Sequence, residues 1–251
     1  MADGDKRNIT DEELALRRKL AIMCRVLGVQ KSIGLYGHVS IRVPNTDIVL
    51  MTPGAGTRKD RVRLDQIFVF DMSGKILQHP GGDRPMQIPA EWRIHTQIHK
   101  DRPEIGCIAH LHAHASTLMG VAQREIVPVF SQGGFLYGGV PTWDDPRMVL
   151  DDKSAVALSQ TLGKAIACQM RGHGSVVVGE TAEQCLQACT FIEENAQYQI
   201  EAEALGGAKP FPNELWEQLI AERRGGRVGS GGTMLLWNYW AQIVEEEGVP
   251  F

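Results

Sequence analysis

The spacing of hydrophobic residues changes along the chain and divides it into helical and strand segments. Thr10 and Glu13 fit a capping box, and apolar residues then recur at helical spacing, which predicts a first helix that ends at Gly28 or Gly34. From His38 the pattern changes to alternation with a period of two, which is typical of half-buried strands. Short strands are predicted over HVSIRV, DIVLM and QIFVFD, and the turn DMSG joins the third to KILQ as a hairpin.

Helical and strand patterns alternate through the rest of the chain. PAEWRIHTQIHK predicts a helix with Pro89 in its first turn, followed by the buried strand IGCIAHLH and a helix that begins ASTLMGVA. A helix is predicted over DKSAVALSQTLGKAIA, a strand over SVVVG, and a long helix from Thr181 to about Leu205. Two amphipathic helices joined by the glycine-rich segment RRGGRVGSGG follow. Hairpins among interleaved strands and helices favour a mixed or antiparallel sheet covered by helices.

Length and composition indicate one globular domain. The chain has 251 residues, of which 43% are hydrophobic and 22% charged, with no internal repeat and no linker between two halves. We therefore expect a single domain over residues 1–251, with a C-terminal helical extension at about 208–251. The formal net charge of −4 argues against a bulk attraction to nucleic acid. The sequence contains no apolar run long enough to predict a membrane span.

The cysteines and the N-terminal segment both predict a cytoplasmic protein. Five cysteines, an odd number, include no Cys-x-x-Cys pair, and four of them lie in apolar runs. Buried free thiols in a reducing compartment are therefore expected. The polar and acidic N-terminal segment contains no apolar signal-peptide region.

The histidines are concentrated in one part of the chain, with six of the eight between positions 79 and 114. His110 and His112 lie two apart in a predicted strand, so both imidazoles face the same side and suit a divalent metal ion. The alternative to a metal site is that the two strand histidines only form local hydrogen bonds. Glu91 begins the preceding predicted helix, and His173 lies between two glycines before a strand. These two residues strengthen the prediction of a metal site.

Three other histidines each admit two interpretations. Glu91, His95 and His99 share one face of a predicted helix, which fits a second metal stripe. We favour His95 as a support for Glu91 or a contact to the sheet, and His99 as a surface or structural residue. His114 is expected to begin a helix beside the site, where it either binds a ligand or belongs to the helix cap.

Four motifs in a fixed order carry a family resemblance. They are GHVSIR (37–42), MTPGAG (51–56), PAEWRIHTQIHKDRPEIGCIAHLHAHAS (89–116) and RGHGSVVVG (171–179). Over about residues 12–205 the chain resembles the class II aldolase/adducin family, which includes fuculose-phosphate aldolase and ribulose-phosphate 4-epimerase. The resemblance implies an α/β fold, a three-layer α/β/α sandwich with a mostly antiparallel central sheet. It also implies a ring-shaped homotetramer with active sites between subunits.

The resemblance assigns roles to four motif residues. His110, His112 and His173 match the metal-binding histidines of the family. Glu91 matches the acidic residue that serves as a fourth ligand or as the base. One divalent metal ion per subunit is therefore expected, with Zn²⁺ preferred and with Mn²⁺ and Fe²⁺ also compatible with three imidazoles and a carboxylate.

Departures from the family pattern argue against a phosphorylated sugar as substrate. Pro89 and Ala90 stand where the sugar-phosphate members have two small hydroxyl residues that hold phosphate, and neither supplies a hydroxyl. The tyrosine that donates a proton in the aldolases is replaced near Ser131 and Gln132, and Tyr137 is the nearest tyrosine. Tyr137 is therefore retained as a candidate substrate contact.

The remaining motif residues predict where the substrate binds. His38, Thr52, Gly54 and Arg93 are expected to face a carboxylate instead of a phosphate, with a structural ion pair as the alternative for Arg93. The aromatic segment MLLWNYW near the C-terminus would either close over a planar substrate or form a core-facing helix stripe.

Three functional hypotheses follow. Decarboxylation needs an electron sink and a later proton donor, which the metal and Glu91 supply. A branch of the family resembling this chain decarboxylates carboxylated catechols or acids from ring cleavage, so a metal-dependent decarboxylase of aromatic catabolism is the first hypothesis. A class II aldolase acting on a non-phosphorylated hydroxy-keto acid or sugar-derived substrate is the second. A non-catalytic adducin-like interaction module is the third, and the intact set of four site residues argues against it.

Overall fold

Helices and short strands alternate in the computed structural model of the protein, which describes residues 9–81, 86–224 and 230–246. The helices of this part are α1 Asp11–Val29, α2 Trp92–Asp101, α3 His114–Val121, α4 Asp152–Leu162, α5 Ala182–Glu203, α6 Asn213–Arg224 and α7 Ser230–Glu246. The strands are β1 His38–Arg42, β2 Ile48–Met51, β3 Phe68–Asp71, β4 Ile76–Gln78, β5 Cys107–Leu111, β6 Thr142–Trp143, β7 Ala167–Met170 and β8 Gly174–Gly179.

One mixed sheet connects all of these strands. Its order is β4-β3-β2-β1-β5-β8-β7-β6. Neighbouring strands are antiparallel except for β6 and β7, which are parallel. The mostly antiparallel α/β sheet expected from the sequence is therefore confirmed. The central strand β5 lies between β1 and β8, which are far apart in sequence.

Alternate side chains of β5 enter two different hydrophobic cores. Cys107, Ala109 and Leu111 belong to the larger core, to which α1 and α5 contribute. Ile108 belongs to a second core that contains apolar residues of α2 and α4. Because successive residues of a strand point to opposite faces, helices lie against both faces of the sheet. His110 has the same parity as Ile108 and therefore faces α2.

The first helix and the first hairpins agree with the sequence predictions. The Thr10 side chain accepts a hydrogen bond from the Glu13 N–H at 3.1 Å and caps α1. The strands over HVSIRV, DIVLM, QIFVFD and KILQ are all present, and β3 and β4 pair as predicted. The long helix α5 begins after Thr181, whose side chain accepts a hydrogen bond from the Gln184 N–H.

Two boundaries differ from the predictions. The helix expected to contain Pro89 in its first turn begins at Trp92, and the Trp92 N–H donates to the Pro89 carbonyl in a turn before it. The helix predicted over DKSAVALSQTLGKAIA ends at Leu162, because Gly163 adopts a positive φ of 52° there. The last residue of that segment, Ala167, instead begins β7, which is too short at four residues to show a periodicity that separates strand from helix.

The C-terminal helices and the cysteines contribute to the core. Trp237 of α7 is buried in the larger core, whereas Tyr239 is 61% exposed, which agrees with the core-facing alternative for Trp237. Residues 225–229 of the predicted glycine-rich link lie outside the described residues. All five cysteines are free and buried, as expected. Among the described helices we find none with the length and apolar character that crossing a membrane requires.

Candidate metal centre and active site

Three histidines converge at one end of the central strands. His110 is in β5 and His112 follows the end of that strand, while His173 lies in the turn between β7 and β8. Gly172 adopts a positive φ of 61° in this turn, which returns the chain beside β5. The three ring centroids lie 4.7 to 5.2 Å from one another. The Nε2 atoms of His110 and His112 are 3.0 Å apart.

The donor atoms of this histidine triad fit a divalent metal ion. One ring nitrogen from each histidine lies within 4.8 Å of the others. The Nδ1 of His110 lies 3.2 Å from the carbonyl oxygen of Ser175, to which it can only donate. Its Nε2 is then the nitrogen with a lone pair for the ion, an arrangement that is common among metal-binding histidines. Burial and the neighbouring His110 and His173 lower the pKa of His112 to about 3, so His112 is in the neutral form that binds metals.

Glu91 completes the site from the start of α2. Its Oε1 accepts a hydrogen bond from the Val149 N–H at 2.8 Å. Its Oε2 lies 3.5 Å from the Nε2 of His110 and 3.4 Å from the Nε2 of His173. Burial raises the pKa of Glu91, but the hydrogen bond from the Val149 N–H and the other polar groups around the carboxylate outweigh burial and hold the pKa well below its usual range. The site therefore contains an ionised carboxylate beside three imidazoles, which is a ligand set for a divalent cation.

Gly174 allows β8 to approach β5 next to the triad. A Cβ atom at this position would lie 2.1 Å from the carbonyl oxygen of Leu111. The approach brings the turn that carries His173 against the end of β5. A side chain at position 174 would push the two strands apart at the site.

We expect Gly174→Ala to destabilise the protein by about 1–3 kcal/mol, since one extra carbon must displace backbone in a packed region. The same displacement separates His173 from His110 and should weaken metal binding. Denaturant unfolding and a metal-competition titration measure the two effects. Gly34→Ala is the control, because a Cβ there has no other atom within 4 Å. Wild-type stability and metal affinity in Gly174→Ala would contradict the role of this close approach.

Three of the predicted substrate contacts lie around the Glu91 side of the site. A ring nitrogen of His38 is within 4.8 Å of donor atoms of Glu91 and His110. The hydroxyl of Thr52 accepts a hydrogen bond from the Val39 N–H at 3.0 Å and so fixes the backbone next to His38. Gly54 donates its N–H to the Gln87 carbonyl at 2.8 Å and supports the segment that precedes Glu91.

Two other predicted contacts have partners elsewhere in the subunit. The Arg93 guanidinium forms an ion pair with Asp152 at 3.0 Å and lies 4.4 Å from the ring centroid of Trp92. The Tyr137 hydroxyl donates to the Oε1 of Glu217 in α6 at 3.2 Å. The structure records no contact between either side chain and the histidine triad.

The structure also shows where the neighbouring histidines lie. His114 is the first residue of α3, and the following N–H groups of Ala115 and Ser116 donate to the carboxylate of Glu193. This geometry agrees with a cap-region position for His114. His95 hydrogen-bonds with His38 instead of Glu91, and His99 is only 1% exposed.

Two residues near the site were missed by the sequence analysis. The ring of Tyr36 lies 5.6 Å from that of His112, and the Tyr36 side chain is 58% exposed beside the triad. The Ser40 hydroxyl lies between His95 and His99. The alternation of β1, which places His38 and Ser40 on one face, was the available signal for Ser40.

Comparison with known proteins identifies the class to which this fold and site belong. The family model "Class II Aldolase and Adducin N-terminal domain" matches residues 18–200. The match covers well over half of the chain, and the protein belongs to the class II aldolase and adducin family. The family resemblance inferred from the four motifs is thereby confirmed.

Individual relatives have names that describe reactions of aromatic acids. A 4-hydroxy-3-prenylphenylpyruvate oxygenase/4-hydroxy-3-prenylbenzoate synthase from Streptomyces roseochromogenus subsp. oscitans is 29% identical over 226 residues, which cover 84% of this chain and 73% of the relative. A 3,4-dihydroxyphthalate decarboxylase from Arthrobacter keyseri is 25% identical over 211 residues, which cover 81% of this chain and 85% of the relative. Among solved structures, an aldolase II superfamily protein from Pseudomonas syringae superposes with a TM-score of 0.84 at 23% identity over 97% of each chain. This last likeness concerns the fold.

Proposed function

We propose that the protein is a divalent-metal-dependent carbon–carbon lyase, a decarboxylase of a hydroxylated aromatic or ring-cleavage-derived carboxylic acid. The observation that carries this proposal is the histidine triad with Glu91 beside it, in a segment that offers no phosphate-holding hydroxyls at Pro89 and Ala90. Relatives named as decarboxylases of such acids, including 3,4-dihydroxyphthalate decarboxylase, support the same reaction class. The complete ligand set argues against a non-catalytic interaction module.

His110, His112 and His173 would hold the metal ion, with Zn²⁺ as the proposed ion, one per subunit. When bound, the ion supplies a binding point for two substrate oxygens and an electron sink during carbon–carbon cleavage. The bond between the ring or chain carbon and the carboxylate breaks, CO₂ leaves, and the electron pair remains with the substrate. Glu91 then passes a proton from water to that carbon, because its buried carboxylate is fixed by Val149 next to the triad.

The substrate contacts divide into two groups in this proposal. His38 binds the substrate directly from β1, while Thr52 and Gly54 hold the backbone that surrounds it. Arg93 and Tyr137 are partly exposed and would reach a substrate across a subunit boundary. A homotetramer with active sites between subunits provides such a boundary, and small carboxylated molecules are the proposed substrates.

The proposed domain organisation and location of the protein follow from its fold and its cysteines. The chain would form one domain over residues 1–251, a three-layer α/β/α sandwich with a C-terminal helical extension at about 208–251. Helices against both faces of the sheet support the layered arrangement. Five free, buried thiols support a reducing, cytoplasmic location.

A parallel assay of acids and sugar phosphates tests the proposed reaction. We expect CO₂ release from at least one acid in a panel of hydroxylated aromatic and muconate-type acids that includes 3,4-dihydroxyphthalate. Fuculose 1-phosphate and ribulose 5-phosphate should not react, since a phosphate dianion needs several donors that Pro89 and Ala90 do not supply. Enzyme treated with a chelator should be inactive and should recover when Zn²⁺ is restored.

Two results would redirect this proposal. Aldehyde release from a non-phosphorylated hydroxy-keto acid, without CO₂ from any acid, would favour the aldolase alternative, which uses the same triad and Glu91. Efficient cleavage of a phosphorylated sugar would show that Pro89 and Ala90 do not exclude phosphate, and the decarboxylase proposal would be withdrawn.

A further inference from the structure

A buried series of hydrogen bonds runs from the active site along the interface between β1 and α2. The Nδ1 of His38 lies 2.8 Å from the Nε2 of His95, and the Nδ1 of His95 lies 2.7 Å from the Ser40 hydroxyl. The same hydroxyl lies 3.4 Å from the Nε2 of His99, whose Nδ1 lies 3.0 Å from the carbonyl oxygen of Ile105. We call His38, His95, Ser40 and His99 the histidine relay. Each of the four side chains is at most 5% exposed.

The fold places these residues together through two periodicities. His38 and Ser40 point to the same face of β1, and His95 and His99 are one helical turn apart in α2. Burial disfavours the charged form of an imidazole, and it is the main cause that lowers the pKa of His95 and His99, so the relay is built from neutral imidazoles. A neutral imidazole has one donor nitrogen and one acceptor nitrogen, and its partners decide which is which.

The contact of His99 with Ile105 determines which atom is the donor in every hydrogen bond of the relay. A backbone carbonyl can only accept, so the Nδ1 of His99 carries the proton and its Nε2 is an acceptor. The Ser40 hydroxyl has one proton, which it donates to the Nε2 of His99. Its oxygen therefore accepts from the Nδ1 of His95, which leaves the Nε2 of His95 as an acceptor.

The same logic fixes the protonation of His38. Its Nδ1 must donate to the Nε2 of His95, so the proton of His38 is on Nδ1 and the lone pair is on Nε2. The reverse assignment would leave the Nε2 lone pair of His99 facing an oxygen lone pair of Ser40 in a buried environment, which is unfavourable. One assignment alone turns all four contacts into hydrogen bonds.

The lone pair of His38 is available to the active site. Its Nδ1 is engaged by His95, so Nε2 is the nitrogen left for the region shared with Glu91 and His110. A lone pair repels a carboxylate oxygen and accepts a hydrogen bond from a hydroxyl group. The side chain that lies next to Glu91 is therefore set to recognise a donor.

From this geometry we infer that His38 selects the substrate by accepting a hydrogen bond from one of its hydroxyl groups, with His95, Ser40 and His99 as positioning residues. The inference rests on the proposed function, because it specifies which group of a hydroxylated acid faces His38. In this arrangement the substrate carboxylate does not face His38. Acids that lack the hydroxyl, or carry it as a methyl ether, should be poor ligands.

Nitrogen NMR of the Zn²⁺-loaded protein, labelled with ¹⁵N at histidine, tests the relay independently of any activity. We expect His38, His95 and His99 each to carry the proton on Nδ1, with His38 assigned by comparison with a His38→Gln variant. His95→Phe removes the acceptor for the Nδ1 of His38, so the tautomer of His38 should become mixed, while His79 should keep its signal in the same variant. A His38 proton on Nε2 in the wild-type protein would overturn the inference.

A binding cycle tests the selection of a hydroxyl. The probes are 3,4-dihydroxybenzoate, its two monohydroxy analogues, and catechol, which lacks the carboxylate. In the wild-type protein, loss of one of the two hydroxyls should weaken binding about 10-fold or more, because a buried acceptor loses its donor. In His38→Ala, loss of the same hydroxyl should change the affinity little. Loss of the carboxylate should weaken binding by the same factor in both proteins.

The outcomes separate this inference from the proposed function. If loss of the carboxylate weakens binding to the wild-type protein but not to His38→Ala, then His38 binds the carboxylate and the inference is overturned. Failure of every probe to bind would also overturn it. Absence of CO₂ release from all acids, with the expected tautomers and binding cycle, would instead overturn the decarboxylase proposal and leave the hydroxyl contact in place.

Discussion

Replacing His112 with alanine is expected to lower kcat by about 10³-fold or more, because loss of a ligand removes an electron sink worth several kcal/mol. His112 follows the end of β5 and is only half-buried, so its imidazole contributes little to either hydrophobic core. The variant should therefore keep the wild-type unfolding temperature and oligomeric state. Metal analysis, kcat and a thermal melt of the same preparation measure the three properties together.

The control for this variant is His79→Ala. His79 is exposed and lies in the segment after β4, where its ring contacts Phe68 and not the histidine triad. The control should retain one ion per subunit and full turnover. If His112→Ala also retains both, or if the reconstituted wild-type protein holds no stoichiometric ion, the histidine triad is not a metal site.

Replacing Glu91 with glutamine is expected to reduce kcat by about 10²-fold or more while the metal remains bound. The glutamine oxygen can still accept the hydrogen bond from the Val149 N–H, so the side chain should keep its position. An amide cannot take up and release the proton that the carbanionic carbon requires. Steady-state kinetics and metal content, measured on the same sample, separate the loss of proton transfer from the loss of the ion.

Glu183→Gln is the matched control for the carboxylate. Glu183 is also buried, but it pairs with Lys19 at 2.7 Å and belongs to the start of α5. Turnover in this control should be close to that of the wild-type protein. Wild-type turnover in Glu91→Gln would refute the proton-transfer role, and loss of the ion in that variant would show that Glu91 is a metal ligand first.

Sequence periodicity predicted the elements that depend on local structure. The capped first helix at Thr10 and the hairpin of β3 and β4 follow from signals within a few residues of one another. The spacing of His110 and His112 also predicted that both would reach the same site. β7 was not predicted, because a strand of only four residues after a helix is too short to show a period of its own.

The position of the active site within the fold depends on strand order. The sequence alone determined the family, the ligand residues His110, His112, His173 and Glu91 as candidates, and the absence of phosphate-holding hydroxyls. The tertiary structure decided that β5 pairs with β1, which sets His38 opposite His110 in the sheet.

The same pairing decided what the side chains next to the triad can do. Sequence spacing showed that His95 and His99 share a helix face, but not which strand that face covers. Only the packing of α2 on β1 joins them to Ser40 and His38 and fixes the proton positions in the relay. Periodicity is a property of neighbours along the chain, whereas these hydrogen bonds connect residues more than 50 positions apart, and their direction depends on a partner at the far end.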